Sequence, residues 1–114
     1  MINQAEYQKE LTKLQKLFEN VDPAKAELAQ GLIEEAAFLH AQNSALKGAI
    51  VETGMVKIHP QHKDIQKPVE TGKQYLKNVN SYSVIIKTLN GILQKNAMEE
   101  EDDFEAYVRE AQNA

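Results

Sequence analysis

The sequence predicts an all-α fold: a helical hairpin, then one long heptad-patterned helix, with a small β-hairpin or ordered loop at residues 49–58 and an acidic C-terminal tail. Three observations predict it. Tyr7, Leu11, Leu14, Phe18 and Val21 fall at steps of four, three, four and three, which is one apolar face of a helix. Asp22-Pro23 restarts the chain, with Asp as N-cap and Pro, its φ preset, at the first helical position. Ile65, Gly72, Val79, Ile86 and Leu93 then recur every seven residues, with Pro68, Tyr75, Tyr82 and Leu89 as their partner set.

Asn3 and Glu6 open the first helix as a capping box, each side chain satisfying a backbone N–H that the first turn leaves free. The second helix carries Leu28, Leu32, Ala36, Leu39 and Leu46 on one stripe, with Gly48 as its C-cap. Ala49–Ile58 breaks the helical period, and two β-rich runs flank Glu52-Thr53-Gly54.

Proline punctuates the stretch from Pro60 to Pro68. Inside a helix Pro68 would cost about 3 kcal/mol, so a break is expected near Lys67. Pro60 then opens a short preceding helix, and the main helix runs from about 68 to 95. Gly72 fits either the close approach of another backbone or a simple joint. Val69, Leu76, Ile85 and Ile92 widen the apolar stripe beyond a two-stranded seam, so it must be covered from more than one side. Several neighbours, some from other subunits, would do this; a core helix packed only within its own chain is the alternative.

The acidic run in MEEEDDFEAYVREAQNA is expected to end that helix by self-repulsion, with Asp102 or Asp103 capping a new one. Phe104, Tyr107, Val108 and Ala111 then share a face, as a docking peptide would. A solvated tail is the other reading.

Charge divides the chain in the same place. Residues 1–98 hold all 12 lysines against 10 acids, a balance of +2, whereas residues 99–114 hold seven acids against Arg109, a balance of −6. The 114 residues contain no cysteine, which excludes disulfides and thiolate ligation and fits a reducing compartment. No run approaches the roughly 18 apolar residues of a membrane span, so a soluble protein of the cytoplasm, with no membrane partner, is expected.

Catalysis finds little footing. His59-Pro60-Gln61-His62 with Asp64 is the nearest approach to a metal cluster, but a third ligand and a general base are missing. His40, beside Ile33 and Ala37, reads as a boundary histidine with a water or carbonyl partner. There is no G-x-S-x-G and no P-loop, and Ser44, Ser81 and Ser83 lack a paired base. No enzyme, cofactor or metal is expected. The lysines speak more clearly: Lys57, Lys63, Lys67, Lys73 and Lys77 are opposed only by Asp64 and Glu70, and His59 and His62 add partial charge. Lys63, Lys67, Lys73 and Lys77 would form one ridge opposite the apolar stripe, suited to phosphates without sequence preference. With a single arginine, bidentate reading of guanine is disfavoured.

A helical pair, the linker Gly54-Met55-Val56-Lys57-Ile58-His59-Pro60 and the long helix YLKNVNSYSVIIKTLNGIL together resemble the small subunit of phage terminase, in the short family of long-tailed phages and prophages. The resemblance covers residues 28–95. It implies a non-catalytic, helical DNA-packaging protein that forms oligomeric rings, binds double-stranded viral DNA and presents it to a large ATPase/nuclease subunit in the host cytoplasm. On that basis Lys57, His59, His62, Lys63, Lys67, Lys73 and Lys77 would contact DNA. Tyr75, Val79, Tyr82, Ile86, Leu89 and Leu93 would join subunits, and Phe104, Tyr107 and Val108 would dock on the large terminase subunit. Residues 1–97 would be the oligomerisation and DNA-recognition domain and 98–114 an acidic tail with a short amphipathic helix. The chain departs from that family in its acidic NGILQKNAMEEEDD and in the lack of a helix-turn-helix before the long helix. A helical adaptor or regulator that binds protein, without DNA, is the competing reading.

Overall fold

Residues 3–113 are described by the structure, a computed structural model. The elements are three helices, α1 (Gln4–Leu17), α2 (Pro23–Thr53) and α3 (Glu70–Asn113), with a two-stranded antiparallel ribbon of β1 (Val56–Ile58) and β2 (Gln66–Pro68) between the last two in chain order. The fold is all-α, as the heptads and the Asp22-Pro23 restart predict.

Both expected N-caps form. Asn3 Oδ1 accepts from the amides of Ala5 and Glu6, and Asp22 Oδ2 accepts from the amide of Lys25. The Asn3 box is half made, because the Glu6 carboxylate turns to His40 instead of the cap. The steps of four and three put Leu14, Phe18 and Val21 into the core, against Ala29, Ile33, Ala36 and Leu89.

The stripe on α2 is partly the one predicted, with Ala36 buried, Leu32 packed on the core, and Leu39 and Leu46 half-buried. Leu28 is 84% exposed, while Ala29, Ile33, Ala36, Ala37 and Ala41 are buried. The physical reason is position: α2 is the middle helix, packed by α1 on one side and α3 on the other. A helix covered twice carries no single apolar stripe. Its small alanines admit both neighbours to close range.

Gly48 is not the C-cap. The helix runs on to Thr53 and its cap lies six residues beyond Gly48, at Gly54, whose φ of 77° is open to glycine at little cost. The β-hairpin is accordingly displaced from 49–58, and its strands bracket a loop over 59–65 where a short helix after Pro60 was expected. Pro68 ends β2, so α3 starts at Glu70 and carries no internal proline. Gly72 settles the other open point. A Cβ there would lie 3.2 Å from the Met55 carbonyl oxygen and 3.3 Å from its Cα, so the ribbon's base presses on α3 at that residue.

The break expected after Asn96 is absent. α3 continues unbroken for 44 residues through Glu99–Asp103, across the boundary drawn at 97/98. Once a helix is nucleated each added residue is cheap, glutamate propagates well, and repulsion between exposed acids costs only a few tenths of a kcal/mol per pair. Lys25 also pairs with Glu99, whose pKa its hydrogen bond holds below the ordinary carboxylate range. Asn96 links the amide of Asp22 to Glu100. Beyond these ties the helix overhangs the α1–α2 hairpin. The radius of gyration is 21.3 Å, with a longest extent of 84 Å, against about 13 Å for a compact domain of this length.

Candidate nucleic-acid interface

The ribbon is built on main-chain pairing. Val69 N–H donates to the Met55 carbonyl (2.9 Å) and His59 N–H to that of Ile65 (3.0 Å), flanking the register Val56–Pro68, Lys57–Lys67, Ile58–Gln66. Opposite residues of an antiparallel pair project on the same side and alternate along it. Lys57 and Lys67 therefore stand side by side on one face, and Val56, Ile58 and Pro68 share the other. Every residue of both strands is exposed.

The 59–65 turn is organised by His59. Its Nδ1 accepts from the amides of both Gln61 and His62 at 3.1 Å, and Ile65 N–H closes the loop on the His62 carbonyl. His59 is thus a turn-capping residue whose ring lies 5.1 Å from that of His62. Residues 59–65 form a loop, so these two histidines share no helical face. Among the described residues no three His, Cys, Asp or Glu come together as a metal site would require.

The single lysine ridge is also replaced. Lys57 and Lys67 lie on the ribbon and Lys63 in its loop; only Lys73 and Lys77 lie on α3, one turn apart, and Lys73 is paired with Glu70 at 3.3 Å. Helical spacing cannot join residues on two kinds of element. The ribbon nevertheless gathers Lys57, Lys63, Lys67, His59 and His62 into one projection, with Lys73 and Lys77 on the first turns beside it.

The residues expected at subunit contacts divide. Leu89 is buried in the chain's own core, with Ile86 and Leu93 packed against it. Tyr75, Val79 and Tyr82 line an open cleft between α2 and α3 with His40, Asn43 and Lys47. On the overhang Phe104 and Tyr107 are 67% and 68% exposed, and Val108 is half-buried.

Sequence reasoning missed the polar junction beneath that cleft. His40 Nε2 lies 3.1 Å from Glu6 and its Nδ1 3.5 Å from Glu10, so two carboxylates flank the ring. Glu10, 4% exposed, also takes Lys13 at 3.1 Å and the Tyr82 hydroxyl at 3.1 Å. Burial, then the Glu10 charge and hydrogen bond, push the Tyr82 phenol up to about 12. Asn78 adds a second polar tie, donating to Gln42 and accepting from Gln74, both at 2.8 Å. Glu10 keeps the i+3 spacing from Tyr7 that marks α1's inner side, and this was the available signal. These ties position three helices.

No helix among the described residues is long and apolar enough to cross a membrane. Compared with protein-family models, curated proteins and solved structures, the chain matches none.

Proposed function

We propose that this chain is a non-catalytic, oligomeric DNA-binding protein of the phage terminase small-subunit kind, which holds double-stranded viral DNA for a larger packaging subunit in the host cytoplasm. The observation that carries the reading is the uncovered ribbon. A two-stranded ribbon is one of the shapes the major groove admits, and this one places Lys57 directly across from Lys67. Like charges in that position destabilise a strand pair, and a two-stranded hairpin is marginal by itself. A phosphate between the two ammonium groups relieves the repulsion. Lys63 at the loop, with Lys73 and Lys77 on α3, extends the same positive surface.

Each chain offers few phosphate contacts, so affinity is built by repeating the ribbon around an oligomer. With three ribbon lysines engaged per chain, log affinity falls with log salt at a slope of about −3 for each chain that contacts the duplex. The test is binding to duplexes of unrelated sequence over a salt series, with the K57A/K67A double variant beside the native chain. Loss of binding in the variant supports the reading, and equal binding overturns it. The exposed Phe104 and Tyr107 favour a second reading, a helical adaptor for protein alone; it gains if the assembled chain ignores DNA even at low salt.

A further inference from the structure

The overhang of α3 carries one apolar face with acids on both flanks. At about 100° per residue, Phe104, Tyr107, Val108 and Ala111 fall within one arc of the helix. Glu101 and Glu105 follow on the Val108 side, and Asp103 and Glu110 on the Tyr107 side. The arc continues the side that Leu89 turns to the core, since Tyr107 lies about five turns beyond Leu89. The α1–α2 hairpin ends before it, and Phe104 and Tyr107 stay 67% and 68% exposed.

A second surface is left open between α2 and α3, at the end of α1 that begins with Gln4. The two helices are tied there by the Asn78–Gln42 bond, above which lies a cleft of about 830 Å³. Tyr75, Val79 and Ile86 line it along α3, and Asn43 along α2, with the exposed Lys47 on α2 and Lys87 on α3. Among the described residues neither lysine has a carboxylate partner, whereas Glu6, the one acid of the lining, meets His40. Asn43 is 8% exposed, and its Oδ1 has no donor among the described residues.

We infer that the arm of one copy lies in the α2–α3 cleft of a second copy. Phe104, Tyr107 and Val108 face Tyr75, Val79 and Ile86, while the two acidic flanks face Lys47 and Lys87. The lengths agree: Phe104–Ala111 covers about 10 Å of helix and Tyr75–Ile86 about 16 Å. The Tyr107 hydroxyl supplies the donor that Asn43 Oδ1 lacks, once rotation about the soft amide torsion brings that oxygen to the cleft. A chain cannot fill its own cleft, because Val79 and Phe104 lie about 38 Å apart on one unbroken helix. Two copies that exchange arms close a twofold pair. Copies that each engage a different neighbour close a ring or extend as a filament. The contact uses none of the ribbon lysines and does not rest on the DNA-binding reading.

Sedimentation velocity of the full chain without DNA tests the docking. The native chain is expected to self-associate. Charge reversal on either surface alone, K47E/K87E in the cleft or D103K/E105K with one change on each flank of the arm, abolishes association. An equimolar mixture of the two variants restores it, because each reversed surface then meets its complement, and this restoration shows that both variants fold. A native chain that stays monomeric, native-like association of either variant alone, or a mixture that fails to associate overturns the proposal. Tyr107→Phe removes only the hydroxyl and is expected to weaken association about fivefold; unchanged association overturns the Tyr107–Asn43 contact. Because the chain lacks cysteine, cross-linking fixes the placement. Mixed S83C and Y107C chains are expected to form a disulfide between the two different chains, identified by intact mass, and a mixture of S81C with Y107C is not. Equal yields in both mixtures likewise overturn the proposal. Since no DNA is present, failure of DNA binding leaves these outcomes unaffected.

Discussion

The middle of the molecule and its two ends are made of the same kinds of residue put to different uses. Between Leu14 and Leu89 the apolar side chains meet across three helices, and Ala36, Ala37 and Ala41 are closed off completely. Several polar groups there are paired, Glu10 with Lys13 and Tyr82, Asn78 with Gln42 and Gln74, while the buried Asn43 Oδ1 has no partner among the described residues. At the ribbon and on the overhang, Val56, Ile58, Phe104 and Tyr107 face solvent, among mainly basic side chains at one end and mainly acidic ones at the other. The middle stabilises the fold, whereas the ends contribute little to it and remain free for partners. Substitutions should therefore separate stability from binding by location.

Leu89→Ala gives the largest expected effect. Leu89 is 2% exposed where α3 meets the α1–α2 core, so truncation costs about 2–5 kcal/mol in urea unfolding. A loss under 1 kcal/mol would mean that α3 is not seated on that core. Glu10→Ala comes next, at about 1–3 kcal/mol, because it strips a buried partner from Tyr82 and Lys13. Gly48→Ala acts in the opposite direction. A Cβ there meets nothing within 4 Å and the residue lies inside α2, so the helix gains about 0.5–1 kcal/mol in the same assay. Destabilisation instead would show that α2 ends near Gly48.

The smallest effect is on pH dependence. The Tyr82 pKa is raised, so the native state holds that proton more tightly than the unfolded chain does. The stability it contributes is present below pH 10 and is lost as pH climbs toward about 12. The Tyr82→Phe chain should lose less stability over that interval, read as thermal midpoints at successive alkaline pH values. Equal losses in both chains would place the alkaline sensitivity elsewhere.

Legibility in the sequence follows the same division. α1 is readable residue by residue, because a helix covered on one side writes its packing as one stripe. The Asp22-Pro23 restart is equally plain, since cap and proline act locally. α2 hides its packing because two helices cover it, and Leu28 is a decoy on an exposed face. Gly48 resembles a stop, but glycine's cost inside a helix is small enough for tertiary packing to override. The ribbon lies beyond local reasoning: Lys57 and Lys67 are ten positions apart, and only the pairing register makes them neighbours. The acidic run resembles a helix breaker only when its repulsion is overweighted against cheap propagation. The candidate site is legible as a set of basic residues, and its shape is not. Helical spacing does not apply to residues that lie on strands and in a loop.

Duplex DNA binding by the ribbon variant tests the central claim most directly. K57A/K67A alters only exposed side chains, so its unfolding free energy should match the native chain within about 0.5 kcal/mol. Its affinity for unrelated duplexes should fall, and the slope of log affinity against log salt should become shallower by about 2 for each chain that contacts the duplex, one unit for each phosphate contact removed. Native affinity and an unchanged slope in the folded variant would contradict the account.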